Sequence, residues 1–153
     1  MVIKILTYGD SLTEGNAKKA VLSKLSKMPF TYQSKLYEVL DNAGFDVEVV
    51  NEGIGGQIAT EIADRIKEIT ECDYLVITAG TNDCWRWSDF RAGMPDFEEF
   101  KSEMVEETWN FIREAVLEVR ERVRFQIVIV SIPPIGEKTI RALPKYMKST
   151  INE

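Results

Sequence analysis

Residues 2–15, VIKILTYGDSLTEG, combine an apolar strand with a polar turn, and this combination is the first indication of the fold class. The first part, residues 2–8, is β-branched and mostly apolar, which predicts a buried strand. The strand ends at Gly9-Asp10-Ser11, where small and polar residues favour a turn or the start of a helix. A serine at this point presents its hydroxyl at the end of the strand, with its backbone N–H free to point the same way.

The rest of the chain alternates helices with strands. Further strands are predicted at residues 47–50, 74–79 and 125–132. Helical spacing of apolar residues predicts helices over residues 30–43, 58–69 and 96–119 and a weaker one over 139–151. This alternation indicates an α/β fold with three layers, α/β/α, in which helices cover both faces of a parallel sheet. The length of 153 residues fits a single domain with one sizeable core.

Composition excludes several classes of function. Hydrophobic residues make up 44% and charged residues 29% of the chain, as in a folded globular protein. The net charge of −6 argues against a nucleic-acid surface, and no apolar run approaches the roughly 20 residues of a membrane span. The N-terminal apolar stretch is too short for a signal peptide, so a cytoplasmic location is expected. No metal-ligand spacing is present, and neither a metal nor a cofactor is expected.

Three polar segments follow predicted strands: residues 9–15, 51–56 and 80–83. In open α/β sheets ligands bind at the carboxyl ends of the strands, so these segments are expected to meet there. The first supplies a serine hydroxyl, the second supplies glycines that let backbone N–H groups approach a ligand, and the third supplies the side-chain amide of Asn82. A nucleophile surrounded by hydrogen-bond donors is what acyl transfer requires, because the donors stabilise the oxyanion.

The same segments resemble blocks I, II and III of the GDSL or SGNH esterases and lipases. The resemblance runs from the start of the chain to about residue 134. It implies that Ser11 is the nucleophile and also an oxyanion donor through its N–H, with Gly56 and Asn82 as the other donors. Gly56 is chosen because it lies five residues after Asn51, and Gly55 or Gly53 would be the alternative. The residues that would support the motifs are Gly9, Asp10, Gly80 and Asp83.

The resemblance also implies a strand order and a substrate class. The sheet is expected to be flavodoxin-like, with the four predicted strands in the order 2-1-3-4 and without the family's fifth strand. The substrate is expected to be a small-molecule ester, which the sequence does not identify further. Without a fifth strand, residues 125–130 would form a long apolar edge. We therefore expect either a dimer or another partner at this edge, or the segment 139–151 folded across it.

One part of the family's site has no counterpart in this chain. The family places an aspartate and a histidine after its fifth strand, and the histidine is the general base that takes the serine proton. The 153 residues contain no histidine. The sequence is therefore interpreted as a single domain that is incomplete at its C-terminus. Lysines within residues 18–27 are a poor substitute base, because a solvated lysine is protonated at neutral pH.

Two function hypotheses follow, and several residues keep a structural alternative. The chain is either a serine ester hydrolase that lacks its base or a non-catalytic member that binds a ligand or a partner; a downstream reading frame encoding Asp-x-x-His would favour the first. Ser11 could be a helix N-cap, and Asn82 and Asp83 could cap the segment after them. The glycines of residues 53–56 could be ordinary turn residues. Trp85, Trp87 and Phe90 could line an acyl pocket or form a lid.

Overall fold

The computed structural model describes residues 1–15, 21–22, 31–91 and 94–131; for residues 21–22, 87–91 and 97 it describes the backbone only. The strands are β1 (Ile3–Gly9), β2 (Val21–Leu22), β3 (Val47–Gly53), β4 (Cys72–Thr78) and β5 (Val123–Val130). The helices are α1 (Ser11–Glu14), α2 (Tyr32–Asn42), α3 (Ala59–Lys67), α4 (Thr81–Arg91) and α5 (Phe97–Val119). A 3-10 turn, Arg120–Arg122, joins α5 to β5. The predicted helix over 139–151 lies outside the described residues.

The sheet has the order β2-β3-β1-β4-β5. The four long strands are parallel, which confirms the predicted three-layer α/β/α class and the predicted order 2-1-3-4. One feature was not predicted: Val21–Leu22 pairs antiparallel with β3 and forms the edge of the sheet opposite β5. This strand has only two residues, which is too short for alternation of apolar and polar residues to reveal it.

Helices α3 and α5 cover one face of the sheet. The main core lies there and includes Leu6, Leu75, Ile77, Ile62 and Ile112, all at most 6% exposed. Strand β1 alternates between the two faces, because successive strand side chains point in opposite directions. Strands β1, β3 and β4 contribute apolar residues to the core on both faces, as expected for buried parallel strands.

Helix α2 covers part of the other face, above β1 and β3. It begins after the N-cap Thr31, whose hydroxyl accepts from the Ser34 N–H, and it ends before Gly44 at φ +87°. At that end the Phe45 N–H donates to Leu40 O and the Gly44 N–H to Asp41 O, which is the Schellman arrangement that a glycine stop predicts. Among the described residues, an apolar groove of about 340 Å³ lies beside α2 on this face and is lined by Leu36, Leu40, Phe45, Tyr74, Val76 and Val128.

Strand β5 is the edge of the described sheet. Four of its apolar residues are more than a third exposed: Phe125, Val128, Ile129 and Val130. The predicted apolar edge at residues 125–130 is therefore present in the described fold. None of the described helices is both long and apolar enough to cross a membrane.

Candidate active site

The carboxyl ends of three neighbouring strands lie level with one another. Gly9, the last residue of β1, is aligned with Gly53 at the end of β3 and with Thr78 at the end of β4. The second strand was predicted to stop at residue 50, but it continues to Gly53 because the parallel ladder with β1 extends to Gly9. This register places the starts of all three polar segments at one edge of the sheet.

The first segment forms α1, a single helical turn. Asp10 is its N-cap, and one carboxylate oxygen accepts from the Leu12 N–H at 2.9 Å. Ser11 is the first helical residue and is exposed. The alternative that Ser11 is the N-cap is therefore wrong, since Asp10 fills that position and leaves the serine hydroxyl at the surface.

The second segment forms a tight glycine turn over residues 54–57. The Gln57 N–H donates to Ile54 O at 3.4 Å, and Gly56 adopts φ +82°, which side-chain-bearing residues rarely adopt. The turn is tied to β1, because the Ile54 N–H donates to Gly9 O at 3.0 Å. A Cβ on Gly55 would lie 3.7 Å from Ser11 Cβ, so the glycine turn packs directly against the serine.

The third segment is the start of a helix and not the loop that its sequence suggests. Gly80 at φ +108° turns the chain out of β4, and its carbonyl accepts from the Cys84 N–H at 3.0 Å, which begins α4. Asn82 lies in the first turn of α4, and its side-chain amide donates to Gln57 O at 2.9 Å. The amide therefore reaches the glycine turn.

The structure thus links Ser11, the glycine turn and Asn82 in one continuous cluster. The roles assigned to Ser11, Gly56 and Asn82 stay predictions, because they concern an oxyanion that would form in this cluster. Trp85 lies in α4 and is partly buried, and it stays a predicted pocket residue. The side chains of Trp87 and Phe90 lie outside the described residues.

Comparison with known protein families identifies the family of this chain. The family model for GDSL-like lipase/acylhydrolase matches residues 5–153. The chain belongs to this family. A search of curated protein sequences returned no significant match.

Solved structures of esterases share the GDSL-like fold seen here. The chain is similar to an acetylxylan esterase from Geobacillus stearothermophilus, with 22% identity and a TM-score of 0.67 over 97% of this chain and 66% of that one. It is also similar to a mutant of the esterase AlinE4, with 21% identity and a TM-score of 0.60 over 99% of this chain and 67% of that one. The chain therefore spans about two thirds of the length of these structures.

Two buried side-chain amides, those of Gln33 and Asn51, hold the backbone around α1 in the GDSL-like site. Neither role was predicted from the sequence. Gln33 of α2 donates to Thr13 O of α1 at 2.8 Å and to the Thr7 hydroxyl of β1 at 3.1 Å. Asn51 of β3 donates to Glu14 O at 3.2 Å and accepts from the Gly53 N–H at 2.9 Å. The only sign of this role in the sequence is that Gln33 is polar at a helix position that packs against the sheet. These contacts fix α1 relative to the glycine turn.

Asp83 caps a helix other than the following segment that its structural alternative named. Its carboxylate accepts from the Ala59 N–H, at 3.0 Å and 3.2 Å to its two oxygens, and so caps α3 instead of its own helix. The residue at the N-cap of α3 is Ile58, whose side chain has no acceptor, so the cap comes from another element. Asp83 thereby joins the third polar segment to the helix that follows the glycine turn.

Burial raises the pKa of the Asp83 carboxyl, and the Ala59 N–H opposes that rise. Asp10 is also fully buried, burial likewise raises its pKa, and the Leu12 N–H opposes the rise. A carboxyl group with a raised folded pKa binds its proton more tightly in the folded state than in the unfolded state. Stability therefore falls as pH rises from the unfolded value of 3.8 through the folded pKa, and returns on acidification.

We expect Asp83→Asn and Asp83→Ala to separate the charge of this group from its cap. Asparagine keeps an oxygen for the Ala59 N–H, whereas alanine leaves that buried N–H unsatisfied and costs about 1 kcal/mol. Urea unfolding at pH 7 and pH 4 measures both effects. The free energy of unfolding of Asp83→Asn should fall relative to that of wild type as pH falls, because only wild type gains stability on protonation. A difference that is independent of pH would contradict the raised pKa.

Proposed function

We propose that this chain carries the nucleophile and the oxyanion-binding groups of a serine ester hydrolase. Ser11 attacks the ester carbonyl, and the N–H groups of Ser11 and Gly56 and the amide of Asn82 stabilise the oxyanion. The observation that supports this most strongly is the register of Gly9, Gly53 and Thr78, which brings the three segments to one edge. Family membership supports the same assignment.

The reaction requires a proton acceptor that these residues do not provide. As the Ser11 oxygen bonds to the carbonyl carbon, its proton must leave, and a serine hydroxyl is a poor nucleophile until a base removes it. Three matched structures are described as catalytic mutants of the acetylxylan esterase, with a serine, an aspartate and a histidine replaced in turn. This chain offers the serine and has no histidine. We infer that within residues 1–153 water or hydroxide accepts the proton.

The proposed substrates are short-chain esters, with acetylated carbohydrates as the first class to test. The support is the likeness to acetylxylan esterases, which is a likeness of fold at 22% identity. Ser11 is exposed in the described part of the chain, which supports an ester of a bulky alcohol such as a sugar. Hydrolysis of p-nitrophenyl acetate and of acetylated xylooligosaccharides by the same protein tests the two parts of this proposal separately.

The experiment that tests the site compares wild type with Ser11→Ala and Asn82→Ala. We expect Ser11→Ala to fold normally and to lose the enzyme-dependent hydrolysis of p-nitrophenyl acetate. Asn82→Ala should lower kcat, by up to about 10², with little change in KM, because the amide acts on the transition state. Ser102→Ala is a matched control in α5, where the hydroxyl bonds only within its own helix in the described structure. Unchanged hydrolysis in Ser11→Ala would refute the assignment.

A second candidate function is binding without catalysis, and the exposed apolar residues of β5, the edge of the described sheet, favour it. We propose that β5 pairs with a second copy of this chain. The strand is eight residues long and contains no proline, and its exposed apolar side chains lie on both faces of the sheet. Edges of this kind recruit further strands unless they are covered. The groove lined by Val128 adds apolar surface to the same region.

We expect the chain to dimerise through this edge. Light scattering over a range of concentrations should show a dimer for wild type and a monomer for Ile129→Lys, because a charge on an edge strand opposes pairing. Leu117→Lys is the matched control, since Leu117 is equally apolar and 63% exposed but lies on α5. A wild-type chain that remains monomeric at the highest concentration would contradict the pairing, as would loss of the dimer in the α5 control alone.

A further inference from the structure

We propose that Glu14 is a positioning residue for the oxyanion-binding turn. Its carboxylate holds the Gly55 N–H and so fixes the direction of the neighbouring Gly56 N–H, in a turn that packs against Ser11. This inference rests on the proposed function of the site and adds to it a residue that neither the motif comparison nor the oxyanion donors include. The evidence is the set of hydrogen bonds on either side of one peptide group.

The peptide that carries the Gly56 N–H is the central peptide of the turn over residues 54–57. Gly56 at φ +82° has the value that the third residue of a type II turn requires. Type I and type II turns differ mainly by a rotation of this central peptide, which reverses the direction of its N–H. A glycine at this position permits both forms, because it has no Cβ. The sequence of the turn alone therefore does not decide where the Gly56 N–H points.

Hydrogen bonds to the flanking peptides oppose that rotation. On one side, Glu14 Oε2 accepts from the Gly55 N–H at 2.9 Å. On the other side, Arg86 Nη2 donates at 3.2 Å to Gly56 O of the flanking peptide, and the Asn82 amide donates at 2.9 Å to Gln57 O of the peptide after it. The central peptide is thus held between two restrained neighbours. Of these contacts, only that of Glu14 comes from α1, the element that carries Ser11.

Glu14 is well placed to couple the nucleophile to the turn. It lies three residues after Ser11, so both side chains are on the same side of α1. A Cβ on Gly55 would lie 2.6 Å from Glu14 Oε2 and 3.7 Å from Ser11 Cβ, so the two side chains face the same glycine. The Glu14 backbone is held as well, because its carbonyl accepts from the Asn51 amide. A bond from a backbone N–H to a carboxylate is among the stronger ones that a protein makes.

The experiment uses the 153-residue chain with three substitutions of Glu14. Glu14→Ala removes the acceptor, Glu14→Asp withdraws the carboxylate by one methylene, and Glu14→Gln keeps an acceptor oxygen at the same reach. Glu38→Ala is the matched control, because Glu38 is an exposed carboxylate on α2 that pairs with Lys35. The readouts are residual kcat and KM for p-nitrophenyl acetate, and amide hydrogen exchange of Gly55 and Gly56 in protein labelled with ¹⁵N-glycine.

We expect Glu14→Ala and Glu14→Asp to accelerate exchange of the Gly55 N–H and to lower kcat about tenfold, with KM nearly unchanged. Glu14→Gln should retain most of both properties, and Glu38→Ala should change neither. If Glu14→Ala does not fold, the role of Glu14 is tested by the difference between Glu14→Asp and Glu14→Gln in kcat and in Gly55 exchange. Unchanged Gly55 exchange, or faster exchange with unchanged kcat, would overturn the role of Glu14. If Ser11→Ala also keeps full activity, the proposed function itself fails, which is a different result.

Discussion

Supplying a histidine should raise the esterase activity of this chain by several orders of magnitude. Ser11, the glycine turn and Asn82 lie at one sheet edge, and the 153 residues contain no histidine to accept the Ser11 proton. In the serine hydrolase subtilisin, loss of the histidine costs about 10⁶ in kcat and leaves about 10³ to 10⁴ over water. We therefore expect weak hydrolysis of p-nitrophenyl acetate by the chain alone and recovery of much of that factor when a base is added.

The base is added as a C-terminal segment with one strand and an Asp-x-x-His loop, either fused to the chain or as a separate peptide. The strand should pair with β5, so recovery of activity and loss of the dimer should appear together. The matched control is the same segment with alanine in place of its histidine, which should remove the dimer without restoring activity. Without the segment, the pH profile should show no inflection near 6.5, since the chain has no imidazole to titrate.

Two outcomes would contradict this account of the missing base. Restoration of activity by the alanine control would show that the added strand acts through packing alone. Hydrolysis by the unaided chain at ordinary enzyme rates, about 10 s⁻¹, would show that another residue accepts the proton. In the second case Ser11→Ala would establish whether the activity belongs to this site.

The second large effect is expected for Gly53→Ala. A Cβ on Gly53 would lie 2.1 Å from the Glu14 backbone N and 2.5 Å from the Thr13 carbonyl carbon. These are backbone atoms and cannot move aside as a flexible side chain would, so α1 must separate from the end of β3. We expect a loss of about 3 kcal/mol in the free energy of unfolding, at the upper end for overpacking, together with loss of residual hydrolysis.

Gly44→Ala is the control for Gly53→Ala. Gly44 has φ +87° and a Cβ there would meet nothing within 4 Å, so the substitution costs only backbone strain of about 1 kcal/mol. Urea unfolding of the two variants measures the difference. Equal stability losses would contradict the close approach of Gly53 to α1. A Gly53→Ala protein that unfolds like wild type and keeps its activity would remove the packing argument for the site.

The sequence was sufficient for the parts of this structure that depend on local pattern. Apolar and β-branched runs predicted the four long parallel strands, of which β1, β3 and β4 contribute side chains to the core on both faces of the sheet. Gly44 predicted the end of α2, since a positive φ is needed after a helix that ends in this way. The start of α4 at Thr81 was missed, because a strand followed directly by a helix leaves no turn residues beyond Gly80 to mark the boundary.

The supporting contacts of the site were not predictable, because they join residues distant in sequence. Glu14 and Gly55 are 41 residues apart, Asp83 and Ala59 are 24 apart, and Gln33 and Thr13 are 20 apart. Each depends on which elements become neighbours in the sheet, and no spacing along the chain reveals it. The motif residues were easier to find, because each follows its own strand.

The central claim is that Ser11 is the nucleophile of an acyl-transfer site, and mass spectrometry after incubation with p-nitrophenyl acetate tests it most directly. Without a base, both the formation and the hydrolysis of an acyl-serine are slow, so an acetylated chain should accumulate. Peptide mapping should locate a single acetyl group on Ser11 in wild type and none there in Ser11→Ala, with less accumulation in Asn82→Ala. Acetyl groups found only on lysines, or equal labelling of wild type and Ser11→Ala, would contradict the claim.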